Sequence, residues 1–224
     1  ETGYEEAEYV AKDINACVNE GRYHYGDCAV LYRTNAQSRL FEEKFIVSNI
    51  PYKIVGGVNF YARKEIKDLL AYLKTIDNAR DDLAVRRIIN VPKRGIGATT
   101  LNRVADYAAT ADISFYNALK MADDIPTLGK SAAKIRPFVN FIQVMRSKAE
   151  IISVSELLQE IIDETGYVKE LEAEDTEEAK ARIENIDELI SKVVAYEEGE
   201  EHPTLSGFLE EVALVADIDS LDEG

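Results

Sequence analysis

Asn90-Val91-Pro92-Lys93-Arg94-Gly95-Ile96-Gly97-Ala98-Thr99-Thr100-Leu101 is the stretch on which the reading of the whole chain turns. A Gly-Ile-Gly turn opens a helix here. Glycine accepts the backbone of a tight turn, the Ile between the two glycines can point inward, and the amides at the helix start are left bare. Unpartnered amides and the positive end of the helix dipole together favour an anion such as phosphate. Lys93 and Arg94 add charge beside them, and Thr99 and Thr100 sit in the first helical turn. This is the pattern of a helix-hairpin-helix turn. It grips a nucleic-acid backbone without reading bases, because amide-to-phosphate bonds carry no sequence information. A plain glycine-rich connector between two helices uses the same residues, and Gly-x-Gly alone does not separate the two readings.

Outward from the turn the chain reads as helical on both sides. Ile66, Leu69, Leu70, Leu73 and Ile76 trace one apolar stripe at helical spacing. Further helices are expected at about residues 83–90, 99–109, 114–121, 131–149, 154–165, 176–196 and 204–216, with Thr204 a reasonable N-cap before Phe208 and Leu209. The first 60 residues differ. A helix over 5–19 ends near Gly21, Cys28-Ala29-Val30-Leu31-Tyr32 suits a strand buried on both faces, 37–47 returns to helical spacing, and Tyr52-Lys53-Ile54-Val55 alternates like a second strand. The expected fold is therefore mainly α, a small α/β portion followed by an all-helical part, with the boundary near Gly57. Two strands rarely make a stable sheet alone, so this α/β portion reads as incomplete.

The chain carries a formal net charge of −16, which by itself argues against a nucleic-acid partner. The distribution qualifies that. Between Ala84 and Lys120 six Lys or Arg face only Asp106 and Asp112, whereas acids crowd the segment after Glu160. A nucleic-acid surface would thus lie in the basic island. Apolar residues at 46% and charged residues at 30% are the balance of a globular protein rather than a disordered one. No apolar run approaches the ~18 residues of a membrane span, so a cytoplasmic protein without a membrane partner is expected. Cys17 and Cys28 lack metal-ligand spacing and read as small buried thiols; His24 and His202 have no nucleophile or ligand set nearby. No metal or catalytic residue is assigned.

Arg33 and Asn35 form a second candidate site. They follow the expected first strand, and ligands of α/β sheets gather at strand carboxyl ends. A helix-capping Asn35 and an ion-paired Arg33 remain the alternative. Two further stretches imitate nucleotide chemistry. Gly129-Lys130-Ser131 ends like a phosphate-binding loop, but Asp124 stands where its first glycine belongs and Pro126 where a strand should lead in. Asp187-Glu188 resembles a magnesium-binding acidic pair but sits mid-helix, and reads as solvated surface.

Taken with Val55-Gly56-Gly57-Val58-Asn59-Phe60-Tyr61-Ala62-Arg63-Lys64-Glu65-Ile66-Lys67-Asp68, Gly166-Tyr167, residues 174–189 and residues 205–214, these segments resemble superfamily 1 DNA helicases of the UvrD/PcrA/Rep type, collinearly and over essentially the whole chain. The resemblance implies an ATP-dependent 3′-to-5′ DNA helicase. Residues 1–58 would be the start of its second motor domain (2A-like), and residues 59–224 an inserted helical accessory domain (2B-like) with an acidic mobile tail at 217–224. It further implies that Arg33 and Asn35 hold single-stranded DNA, and that Lys93, Arg94, Gly95, Ile96, Gly97, Thr99 and Thr100 grip duplex DNA. Gly56-Gly57 would be the hinge between domains, by the paired glycines and by the same analogy. ATP and Mg would belong to the intact parent and not to this stretch, which has no complete nucleotide-binding motif. Partners would be DNA carrying a single-stranded tail, the remaining motor domains, and repair or replication proteins. The competing reading is an acidic helical docking module, with Glu170 to Glu201 presented to a basic protein.

Overall fold

The computed structural model describes residues 3–32, 37–54 and 59–221, with side chains up to residue 215. Eleven helices order these residues: α1 (Gly3–Asn19), α2 (Ser38–Val47), α3 (Lys64–Asp77), α4 (Asp82–Ile88), α5 (Ala98–Ala111), α6 (Phe115–Lys120), α7 (Ala132–Lys148), α8 (Val154–Thr165), α9 (Tyr167–Glu174), α10 (Glu177–Gly199) and α11 (Leu205–Leu221). The mainly α expectation holds.

Helix ends follow local chemistry. Ser153 and Glu156 cap α8 reciprocally, the Ser153 hydroxyl accepting from the Glu156 amide and the Glu156 carboxylate accepting from the Ser153 amide. Gly166 then stops that helix in the left-handed conformation, at φ +69°. Asp81 caps α4 and Thr176 caps α10 through their side-chain oxygens. Sequence reading leaves out α9, whose large apolar side chains are Tyr167, Val168 and Leu171 among charged residues, and it ends the last helix at 216, five residues before α11 does.

Among the described residues the buried apolar side chains form two clusters. Ala11, Phe45 and Ile50 build a small one between α1 and α2. The other runs from Phe60 to Val212, with α3 at its centre against α4, α7, α8, α10 and α11. Ile66, Leu69 and Leu73 of α3 are fully buried, as the stripe requires.

The strand expectation is corrected. Among the described residues no strand forms. Residues 28–32 and 51–54 run unpaired, and only one side of each is covered, by Val30 and Tyr52 packed on α1 and α2. Leu31 is 92% exposed, so the segment read as buried on both faces is buried on one. A strand is stable only when its amides and carbonyls meet a neighbouring strand, and these two do not meet each other. The α/β portion of the expected fold is therefore absent from the described residues. Cys17 and Cys28 are half-buried free thiols rather than buried ones.

Charged residues hold α2 onto the larger cluster. Arg39 donates to Glu188 at 3.0 and 3.1 Å and to Glu43 at 3.2 Å. Arg63 donates to Asn185 at 2.9 Å and to Ser38 at 2.7 Å. Lys192 bridges Glu211 and Glu43. Glu188, read from sequence as solvated surface, is thus half-buried and paired, whereas Asp187 is exposed. Asp68, 2% exposed, accepts from Arg87 at 2.8 Å, Lys64 at 3.0 Å and the Tyr167 hydroxyl at 2.7 Å, which ties α3 to α4 and α9.

Candidate nucleic-acid interface

The connection from α4 to α5 folds around Arg94. Its Nη1 lies 2.9 Å from the Ile88 carbonyl, 3.2 Å from Ile89, 3.2 Å from Val91 and 3.3 Å from Pro92. Nη2 donates to the Tyr72 hydroxyl at 2.6 Å, which donates in turn to the Val91 carbonyl at 2.5 Å. The guanidinium also stands over the Phe138 ring, 5.3 Å from its centroid. One cation therefore gathers the last carbonyls of α4 and those of the turn on the protein side. Burial raises the Tyr72 phenol above its usual range, with Arg94 opposing the shift. Asn90 completes the turn, its Oδ1 accepting from the Arg94 amide at 2.8 Å and the Ile96 amide at 3.2 Å.

Ile96 is 1% exposed and pins the turn into the core. Gly95 takes the left-handed backbone at φ +68°, which a side chain rarely adopts. Gly97 begins α5 in an extended conformation with no side-chain cap, and a Cβ built on it meets nothing within 4 Å. The amides of Ala98, Thr99 and Thr100 thus open onto a surface where Lys93, Gly97, Ala98 and Thr99 are exposed and Thr100 is half-buried.

One further cation joins this surface from distant sequence: Lys134 of α7 donates to the Gly95 carbonyl at 3.1 Å. Arg103, one turn further along α5, donates to the Thr127 carbonyl at 2.7 Å. Arg103 belongs to the basic island. Lys134 was invisible to sequence reading, because a contact across 39 residues leaves no local signal. Of the candidate residues, the structure brings together Lys93, Arg94, Gly95, Ile96, Gly97, Thr99 and Thr100 on one turn, with Arg94 and Ile96 facing in. Arg33, Asn35, Gly56 and Gly57 lie outside the described residues.

With this geometry in place, comparison with known proteins gives one family. The signature of the UvrD-like helicase C-terminal domain matches residues 1–223. The chain belongs to that family. It is 44% identical over 218 residues to the ATP-dependent DNA helicase PcrA of Bacillus subtilis, covering 97% of this chain and 30% of that protein. It is 45% identical over 223 residues to PcrA of Staphylococcus aureus, again covering 30% of the relative. This UvrD-like chain thus spans about 30% of the length of the curated relatives it matches. Among its described residues no helix is long and apolar enough to cross a membrane.

Proposed function

We propose that the chain grips the sugar-phosphate backbone of duplex DNA through the start of α5, as part of an ATP-dependent 3′-to-5′ DNA helicase. The carrying observation is the polarity of the turn: Arg94 holds the carbonyls of Ile88, Ile89, Val91 and Pro92 inward, while the uncapped amides of α5 open outward beside Lys93. A phosphate approaching there meets donors and positive charge rather than carbonyl oxygens. Contacts of this kind fix register on the duplex without selecting sequence.

In this reading residues 1–58 belong to the second motor domain and 59–224 to an accessory domain, the division that also separates the two apolar clusters. Arg33 and Asn35 would hold the single strand, and Gly56-Gly57 would absorb rotation between the parts. DNA with a single-stranded tail, the remaining motor domains and repair or replication proteins would be the partners, in the cytoplasm. ATP and Mg would act in the intact parent. Gly129-Lys130-Ser131 does not fit a phosphate-binding loop, since no strand leads into it among the described residues and Asp124 stands where its first glycine belongs, so no hydrolytic step is assigned to these residues.

The test is fluorescence anisotropy with a duplex carrying a 3′ single-stranded tail, across salt concentrations. Weak binding, at roughly 10⁻⁴ to 10⁻⁶ M, is expected to fall with salt. A Lys93→Ala, Lys134→Ala double variant should bind more weakly with a shallower salt dependence. Equal binding by both proteins would sink the proposal. The second reading, an acidic docking face, is favoured by the exposed run Glu170, Glu172, Glu174, Asp175, Glu177 and Glu178. It requires a basic protein partner whose binding ignores both lysines.

A further inference from the structure

A cavity of about 360 Å³ lies where the end of α3, the short α6 and the later half of α7 meet. Arg80, Lys120 and Arg146 line it, together with Tyr116, Asn117 and Gln143. Among the described residues no carboxylate lines it, in a chain of net charge −16. None of the three cations forms a salt bridge among the described residues, although the acids outnumber the bases. Three mutually repelling charges around one cavity cost free energy unless something of opposite sign offsets them.

Tyr116 forms part of the wall. It is 4% exposed, and its hydroxyl is closed off from solvent and without a hydrogen-bond partner among the described residues. The Lys120 ammonium stands over the Tyr116 ring, 5.7 Å from its centroid. Burial raises the Tyr116 phenol and the Arg146 charge opposes that, which places the guanidinium in electrostatic reach of the ring.

We propose that this cavity is a second anion site, separate from the Gly95–Thr100 turn, that takes a phosphate group. Two guanidiniums supply planar, bidentate donors suited to phosphate oxygens, and the Lys120 ammonium adds a point charge. The Asn117 and Gln143 side-chain amides supply neutral donors. Arg146 sits roughly 18 Å along α7 from Lys134, which touches the turn, so one phosphate cannot occupy both sites. The phosphate is either a small free anion or one phosphodiester of a nucleic-acid strand.

The experiment is an NMR titration of the chain, following Arg Nε–H and Asn and Gln side-chain amide signals. Inorganic phosphate is compared with sodium chloride at equal ionic strength. Saturable shifts of Arg80, Arg146, Asn117 and Gln143 with phosphate are expected, retained in a Gly97→Asp variant and lost in Lys120→Glu, Arg146→Glu. Tyr116→Phe keeps the ring and its packing, and should leave the phosphate-dependent shifts in place. Adding dT12 to the Gly97→Asp variant distinguishes the sources: shifts of the same signals that phosphate competes away assign a nucleic-acid backbone, and shifts with phosphate alone assign a small anion. Shifts that chloride reproduces, or that survive the double charge reversal, overturn the site.

Discussion

Gly97→Asp separates stability from DNA binding with opposite signs. Gly97 is the N-cap of α5, and its Cβ position is open, so an aspartate can enter without displacing a neighbour. Its carboxylate would accept from the Thr99 or Thr100 amide, worth a few tenths of a kcal/mol over glycine, and would gain about 0.3–1 kcal/mol from the helix dipole. The chain should therefore become about 0.5–1 kcal/mol more stable, a rise in Tm of roughly 1–4 °C for this size. The same carboxylate occupies the donors proposed for DNA phosphate and repels it. With charges about 4 Å apart the penalty lies between ~1 kcal/mol in water and ~4 kcal/mol near a protein surface, so duplex affinity should drop at least about 5-fold. Thermal unfolding followed by circular dichroism and anisotropy with tailed duplex read the two effects on one protein. A more stable variant that still binds within twofold of the native chain would refute contact at these amides. A less stable variant would refute the open N-cap.

Three other perturbations probe the rest of the account. Arg94→Ala removes the cation that gathers four carbonyls and the Tyr72 hydroxyl, and should cost about 2–4 kcal/mol in urea unfolding, whereas Lys93→Ala should stay within about 0.5 kcal/mol and weaken only DNA binding; equal stability of the two variants would contradict the inward role of Arg94. Tyr61, Tyr72 and Tyr167 have phenols raised above their usual range, burial being the first cause in each. Because the folded chain keeps these protons after the unfolded chain releases them near pH ~10, stability is intact below that pH and falls above it by about 1.4 kcal/mol per pH unit per tyrosine; urea midpoints from pH 9 to 11.5 should show the decline, and Tyr167→Phe should flatten it by about one proton. Gly207→Ala sets a Cβ 2.3 Å from the Tyr196 hydroxyl, which bonds the Thr204 backbone, and should cost about 1–3 kcal/mol; an unchanged urea midpoint would show that Tyr196 moves freely.

What the sequence disclosed and withheld follows from the range of the forces involved. The α3 stripe and the cap at Thr204, whose hydroxyl accepts from the Gly207 amide, are local, set within a few residues, and α8 and α10 lie close to where periodicity puts them. α9 escapes because a helix of eight residues held by Tyr167 and Leu171 lacks the apolar repeats that make a period visible. The expected strands fail for the opposite reason. The apolar run at 28–32 and the alternation at 52–54 each leave one face covered, but a strand also needs a paired edge, which neither pattern supplies. At the candidate site, the glycines and Ile96 were legible as a turn that opens a helix. The inward course of Arg94 was not, because it depends on Tyr72 and Phe138 arriving from other helices. Lys134 and the Arg39–Glu188 pair, 149 residues apart, were likewise beyond any local pattern.

Backbone amide NMR of the chain titrated with a tailed duplex tests the central claim most directly. The account predicts that the largest shifts fall on Gly97, Ala98, Thr99 and Thr100, fade as salt is raised, and vanish in Gly97→Asp. Shifts confined to the acidic segment from Glu170 to Glu201, or no change in the α5 amides at high-micromolar duplex and low salt, would contradict it.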